Sequence, residues 1–226
     1  LNPLTPTTRS PAAAGDLVVG VRGFSGFAGG STDDPNKTGK IGFSAGGGIG
    51  LQYYFLKAGK MDLGLGTGLD YVYIQYSSNT TIDLTSMMGP VVDLKSTTNY
   101  SYLTVPITAR GLIHLNDKLD LTADAGGFIG FFLNGKSDNT YTPELVPFGL
   151  VNGVSDLDDT TTEATDIGLR LALGLALDIS PKLKLTPGIL FDLGLKDTSK
   201  DTPPVSPSKD TFWKLTALVT FVYELF

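Results

Sequence analysis

The chain contains no cysteine among its 226 residues. That excludes a disulfide framework, a thiolate zinc site and a lipidated N-terminal cysteine. Basic charge is scarce too, with 17 Lys and Arg against 23 Asp and Glu and a net charge of −6. Phosphate backbones are held by clustered Lys and Arg, so no nucleic-acid partner is expected. There is no run of about eighteen apolar residues, the length a membrane-crossing helix requires. A mean hydropathy of +0.10 is also too polar for a bundle of such helices. Histidine is reduced to His114 alone, and only 18% of residues are charged. What the chain does have is glycine, 28 residues of it, and a strict alternation of apolar and polar positions.

The alternation is clearest over residues 166–179, DIGLRLALGLALDI. Ile167, Leu169, Leu171, Leu173, Leu175, Leu177 and Ile179 form one face, and Asp166, Gly168, Arg170, Ala172, Gly174, Ala176 and Asp178 the other. A period of two marks a strand with one apolar and one polar side. This strand is about twice as long as those of soluble proteins. A long strand apolar along one whole face suits a bilayer, where closing the sheet satisfies every backbone group. The expected fold is all-β: an eight-stranded antiparallel up-and-down transmembrane β-barrel. Its strands are expected at about 17–28, 41–56, 61–76, 100–115, 118–133, 164–179, 182–195 and 211–225. Residues 16–226 make up the barrel. Residues 1–15, rich in Pro, Thr and Ala and without periodicity, are expected as an extended periplasmic lead-in. The chain begins at Leu1 rather than Met, and the expectation is a mature form whose export signal has been removed.

Short and long connections alternate. Turns at Ala58-Gly59, Asn116-Asp117 and Ser180-Pro181 are tight, whereas residues 29–39, 77–99, 134–163 and 196–210 are expected as long loops. In an up-and-down barrel this puts the short turns and both termini on one rim and the long loops on the other. Outer-membrane barrels have that asymmetry, with short periplasmic turns and long extracellular loops. The outward parity of the eight segments carries no charge. The inward parity carries Arg22, Asp62, Asp70, Arg110, Asp120, Asp124, Asp166, Arg170, Asp178, Lys184, Asp192, Lys214 and Glu224. A Lys or Arg at the lipid midplane costs about 2–4 kcal/mol, which accounts for so clean a separation. Outward aromatics gather at the strand ends, as membrane interfaces favour. Phe27, Phe43, Tyr71, Tyr73, Phe131 and Trp213 lie toward the long-loop rim, and Tyr53, Phe55 and Tyr223 toward the short-turn rim.

The stretch Tyr102-Leu103-Thr104-Val105-Pro106-Ile107, followed by Arg110, resembles the Tyr-Leu-x-Ile-Pro-Leu signature of Bacteroidota outer-membrane β-barrel families, the PorT-like and OmpX-like group. The glycine-rich GFSAGGGIGLQYYF at 42–55 and the final Tyr-Glu-Leu-Phe are similar as well. The resemblance spans residues 17–226 and implies an outer-membrane barrel. The C-terminal pattern departs from that group, because Phe226 is in step with Glu224, Val222 and Thr220 instead of the apolar series Leu225, Tyr223, Phe221 and Val219.

Eight strands enclose a lumen that side chains fill, so a general diffusion pore is not expected. Inward glycines at 42, 46, 48, 50, 64, 66 and 68 leave room for large groups such as Phe24, Arg110, Phe128, Phe132 or Arg170, or alternatively for a narrow cavity. Counting from the tight turns sets Arg110, Asp124, Arg170 and Asp192 at similar heights on four successive strands. A buried chain Arg110–Asp124–Arg170–Asp192 is expected across mid-barrel, since charges taken out of water must be paired. His114, two residues from a tight turn, reads as a polar rim residue, and no catalytic residue, cofactor or metal is expected. Asp156, Asp158, Asp159 and Glu163 lack the EF-hand pattern and read as a solvated acidic loop. Leu145, Val146, Phe148 and Leu150, with Met87 and Met88, read as loops that either fold over the barrel as a lid or meet a partner. The expected role is a non-enzymatic structural or accessory subunit, with outer-membrane lipid, lipopolysaccharide and other outer-membrane proteins as the expected partners. The alternative is a narrow transport or small-ligand barrel. A soluble lipocalin-like carrier is disfavoured, since its Gly-x-Trp start is missing.

Overall fold

A computed structural model describes residues 15–32, 36–87, 89–157, 162–196 and 210–225. The strands are β1 (Asp16–Thr32), β2 (Lys37–Ala58), β3 (Met61–Asp83), β4 (Val91–Asn116), β5 (Leu119–Thr142), β6 (Gly153–Leu157), β7 (Thr165–Ser180), β8 (Leu183–Gly194) and β9 (Asp210–Glu224). Eight of them close a ring of antiparallel neighbours in the order β1, β2, β3, β4, β5, β7, β8, β9, with β9 returning to β1. The short β6 lies outside the ring, against Gly135–Asn139 of β5. The expected eight-stranded up-and-down barrel is the fold.

The register fixes its geometry. The row that starts at Val18 runs through Gln52, Gly66, Thr108, Gly126, Arg170, Asp192 and Lys214 and re-enters β1 at Ala28. One circuit therefore climbs 28 − 18 = 10 residues, and such a stagger goes with strands tilted by about 40°. Along β7, Leu169 and Leu171 are 50% and 53% exposed on the outside, whereas Arg170 between them keeps 3%.

Three expected loops contain strand: within 29–39, β1 runs on to Thr32 and β2 begins at Lys37, and strand extends into 77–99 and 134–163 as well. Residues 77–83 and 91–99 continue the β3–β4 ladder to a single 3₁₀ turn at Thr85–Met87. Residues 134–142 prolong β5 between β4 and β6. The extra length exceeds the roughly 9–11 residues a tilted strand uses to cross a bilayer. Outside the bilayer neither face must be apolar, so the period-two signal ends while the backbone ladder goes on. Hydroxyls take over the cross-strand contacts, with Ser77 Oγ 3.0 Å from Thr97 Oγ1 and Ser96 Oγ 3.0 Å from Ser137 Oγ.

Inside, glycine lets bulky groups reach the axis. A Cβ on Gly46 would meet the Phe24 ring at 2.5 Å, and one on Gly168 would overlap the Phe128 ring. Toward the long-hairpin rim an aromatic layer spans the lumen. Phe212 lies 5.0 Å from Tyr76 and 5.3 Å from Tyr100, and Phe132 packs edge-on to Tyr102 at 5.8 Å. Leu157 of β6 packs against this layer. Leu145, Val146, Phe148 and Leu150 stay away from it. They form the tip of the β5–β6 hairpin, closed by the Leu145–Leu150 bridge, with Val146 69% and Phe148 47% exposed. Pairing of β5 with β6 carries that segment as a hairpin tip beyond the ring. Met87 ends the 3₁₀ turn, while Met88, Asp158, Asp159 and residues 1–14 lie outside the described residues.

Candidate functional site: the charged lumen

On the short-turn side of the aromatic layer, five charged side chains form one continuous network. Arg22 donates from Nε and Nη2 to the two oxygens of Asp70, at 2.6 and 3.0 Å. Arg170 donates from Nη1 to Asp70 at 2.7 Å, reaching across the lumen from β7 to β3. Its Nε and Nη2 form a second fork onto Asp192, at 2.7 and 2.8 Å. Lys214 Nζ approaches Asp192 at 3.1 Å. Asp70, Asp192, Arg170 and Lys214 are all buried. Two-pronged guanidinium–carboxylate contacts of this kind are strong because both hydrogen bonds are charge-assisted and the planar fork is preorganised. The Phe128 ring backs the network, 5.8 Å from the Arg170 guanidinium and 5.4 Å from Lys214 Nζ.

The strand register accounts for each contact. Arg170, Asp192 and Lys214 are direct partners on β7, β8 and β9. Arg22, Gly48 and Asp70 likewise share a row on β1, β2 and β3. Gly48 offers no side chain between the two charges, so Arg22 extends over β2 to its carboxylate.

The four charges named from sequence divide into two groups. Arg170 joins Asp192, and Arg110 faces Asp124 in register with Nε 3.5 Å from Oδ1. The link from Asp124 to Arg170 is replaced. Asp124 is level with Ala172, and Arg170 with Gly126, so the two are staggered, and the Arg170 guanidinium is taken by Asp70 and Asp192. Heights counted from separate turns leave out the shear between β5 and β7, whose connection is not a tight turn. Asp70, Arg22 and Lys214 were visible as inward charges. The missing signal was the register across the long β1–β2 and β8–β9 connections.

A second cluster closes the short-turn rim. His114 Nδ1 is 2.9 Å from Asp120 and its Nε2 is 3.1 Å from Asp62, while Lys184 reaches Asp120 at 3.0 Å. His114 is thus more than a polar rim residue: it bridges β3 to β5 between two buried carboxylates. Among the described residues, no group of three or more histidine and carboxylate side chains has a metal-holding arrangement. Between the two clusters lies a cavity of about 40 Å³, walled by Gln52, Thr108, Thr122, Thr186, Thr220 and Arg110 among others.

Tyr53, Phe55 and Tyr223 are 45–48% exposed toward the short-turn rim. Toward the other rim, the Tyr71 hydroxyl contacts Ser101 Oγ at 3.0 Å and Tyr73 donates to Asn99 at 3.0 Å, while the Trp213 indole covers Gly29.

A closed ring of alternating strands with an uncharged outer face and a charged, filled interior defines an integral β-barrel membrane protein. Residues 14–200 match the family described as outer membrane protein beta-barrel domain, and the chain belongs to that family. The location that follows is the outer membrane. No curated protein matches the chain. Similar solved structures include the Neisserial surface protein A, with 13% identity, a TM-score of 0.42 and coverage of 90% of this chain and 95% of that one. The outer membrane protein OprG of Pseudomonas aeruginosa has 12% identity, a TM-score of 0.41 and coverage of 94% and 96%. The outer membrane protease OmpT of Escherichia coli has 10% identity, a TM-score of 0.38 and coverage of 93% and 96%.

Proposed function

We propose that this outer-membrane barrel is a closed, non-enzymatic scaffold, acting as a structural or accessory subunit of a larger outer-membrane assembly. The carrying observation is the buried network Arg22–Asp70–Arg170–Asp192–Lys214, which ties β1, β3, β7, β8 and β9 together across the lumen. With the aromatic layer above it and the His114 cluster below it, the lumen is obstructed at three heights. The short turns and both termini face the periplasm in this reading and the long hairpins face outside, supported by the alternation of connection lengths. The exposed tip with Val146, Phe148, Val151 and Val154 is the candidate surface for another outer-membrane protein, beside the lipid and lipopolysaccharide around the barrel. Both ring nitrogens of His114 are held by carboxylates inside the barrel, which supports a structural role for it. Placement within the PorT-like and OmpX-like Bacteroidota group rests on the Tyr102–Ile107 motif with Arg110.

A second reading, a narrow transport or small-ligand barrel, is favoured by the cavity beneath the network and by the inward glycines beside it. Planar-bilayer recordings of the purified protein separate the two. The scaffold reading expects no stable conductance, and reproducible channels would overturn it in favour of transport.

A further inference from the structure

The outer wall of the barrel is not evenly convex. Across β9, β1 and β2 it carries a depression of about 580 Å³, lined by Val19, Val21, Ile49, Leu51, Phe221 and Tyr223 among others. The register explains it. Val19 stands between Tyr223 and Leu51, and Val21 between Phe221 and Ile49. Two short β-branched side chains thus form a floor between taller ones, at outward positions without charge. Gly23 and Gly47, paired two residues further on, continue the low floor, and a Cβ on Gly23 would meet nothing within 4 Å. Beyond β2, Tyr71 and Tyr73 lean the other way, with their hydroxyls on Ser101 and Asn99 of β4. At the short-turn end the depression reaches Leu183. Lys182 beside it is exposed, and its carbonyl accepts from the Glu224 amide of β9.

The wall itself selects what fills this space. A partner strand cannot extend the sheet here, because β1 is paired along both edges. A second copy docked about a two-fold axis sets the same patch against itself. Dent would then face dent, and the void would forfeit packing contacts on both sides. A flexible hydrocarbon chain fills the depression without that loss, and hydrocarbon is what surrounds an uncharged wall in the outer membrane. The volume falls in the range of about 300–1,000 Å³ found for small-molecule sites. The floor from Val19 to Gly23 runs about 13 Å at the usual rise per strand residue, close to the roughly 15 Å of hydrocarbon in one leaflet. Lys182 at the rim offers the charge that a lipid phosphate needs.

We propose that this depression is a binding site for one acyl chain of a phospholipid whose phosphate rests at Lys182. The choice of phospholipid over lipopolysaccharide rests on the reading that the short turns face the periplasm, since lipopolysaccharide occupies the outer leaflet. The site is independent of whether the lumen is closed or conducts.

Native mass spectrometry of the whole barrel in mild detergent, titrated with dipalmitoyl phosphatidylglycerol, tests the proposal. The first lipid should bind at least about tenfold more tightly than later ones, which meet only the general outer wall. Val21→Trp fills the floor and should remove that first step. Ile129→Trp, at an outward position on β5 across the ring, should leave it intact. Lys182→Gln should weaken it about fivefold, the worth of one basic residue near a lipid surface. Equal affinities for successive lipids, equal effects of Val21→Trp and Ile129→Trp, or an unchanged first step in Lys182→Gln would each overturn the proposal. The wild-type titration and Lys182→Gln decide it even if Val21→Trp does not fold. Tighter binding of lipopolysaccharide than of phosphatidylglycerol also overturns it. If protease then cuts Ala58-Gly59 in intact cells, the failure lies in the orientation of the barrel. If Ala58-Gly59 is protected, the failure lies in the site.

Discussion

Asp70 and Asp124 are both inward aspartates on long strands, yet they carry different weight. Asp70 is fully buried and serves two arginines, Arg22 and Arg170. Asp124 retains 17% of its side-chain surface and faces one arginine at 3.5 Å. Breaking a buried pair leaves a desolvated charge behind and costs about 3–5 kcal/mol. Asp70→Asn is therefore expected to lower stability by about 3–5 kcal/mol, and Asp124→Asn by less, because Asp124 serves one arginine at 3.5 Å where Asp70 serves two at closer range. Urea unfolding in detergent, followed by the emission of Trp213, the only tryptophan, checks both. Equal losses for the two variants would contradict the network drawn here. The sequence marked all of these aspartates as inward, because parity is a local property. Which arginine each one meets depends on a row of partners running through other strands, and Gly48 between Arg22 and Asp70 becomes meaningful only once that row is known.

At the scale of the element, each long strand has two parts with different solvents. In the barrel wall the outward side chain faces lipid, as at Leu173 of β7. Leu173→Arg is expected to destabilise by about 2–4 kcal/mol, the cost of a basic group at the midplane. In the projecting hairpin the outward side chain faces water, and Val154→Lys on β6, where the native residue is 66% exposed, should change stability by no more than about 0.5 kcal/mol. Refolding into liposomes with urea titration measures both, and a large loss at Val154 would place β6 in a packed environment. The same division explains what was legible. Strand segments within the wall were readable to within a few residues, because lipid enforces alternation. Residues 77–99 and 134–142 read as loop because Ser, Thr and Asn on both faces erase the alternation while the ladder persists.

For the whole molecule the alternation of tight turns and long hairpins predicts a topology. Protease added to intact cells should cut the exposed tip around residues 146–151 and leave Ala58-Gly59 untouched. Cleavage at the tight turns in intact cells would reverse the orientation. Replacing residues 143–152 by a short turn should leave the eight-stranded ring folded, since ring closure runs through β9 and β1 and through β4 and β5 within the wall. Retained compact mobility on unheated gels would report the folded ring, and its loss would show that the hairpin is required for closure.

The number of wall strands, the face each side chain takes and the membrane location were readable from the chain, because all three follow from period two and from the cost of charge in lipid. Counting from the tight turns also placed Arg110 within one residue of Asp124 and Arg170 within one residue of Asp192, since a tight turn links each pair of strands and constrains their register directly. Tertiary structure alone decided the rest. The contact of Arg170 with Asp70, the meeting of Tyr76, Tyr100 and Phe212, and the cavity beside Arg110 all join strands that are far apart in the chain. Their heights depend on the ten-residue shear of the closed ring, a quantity that exists only when the last strand pairs with the first.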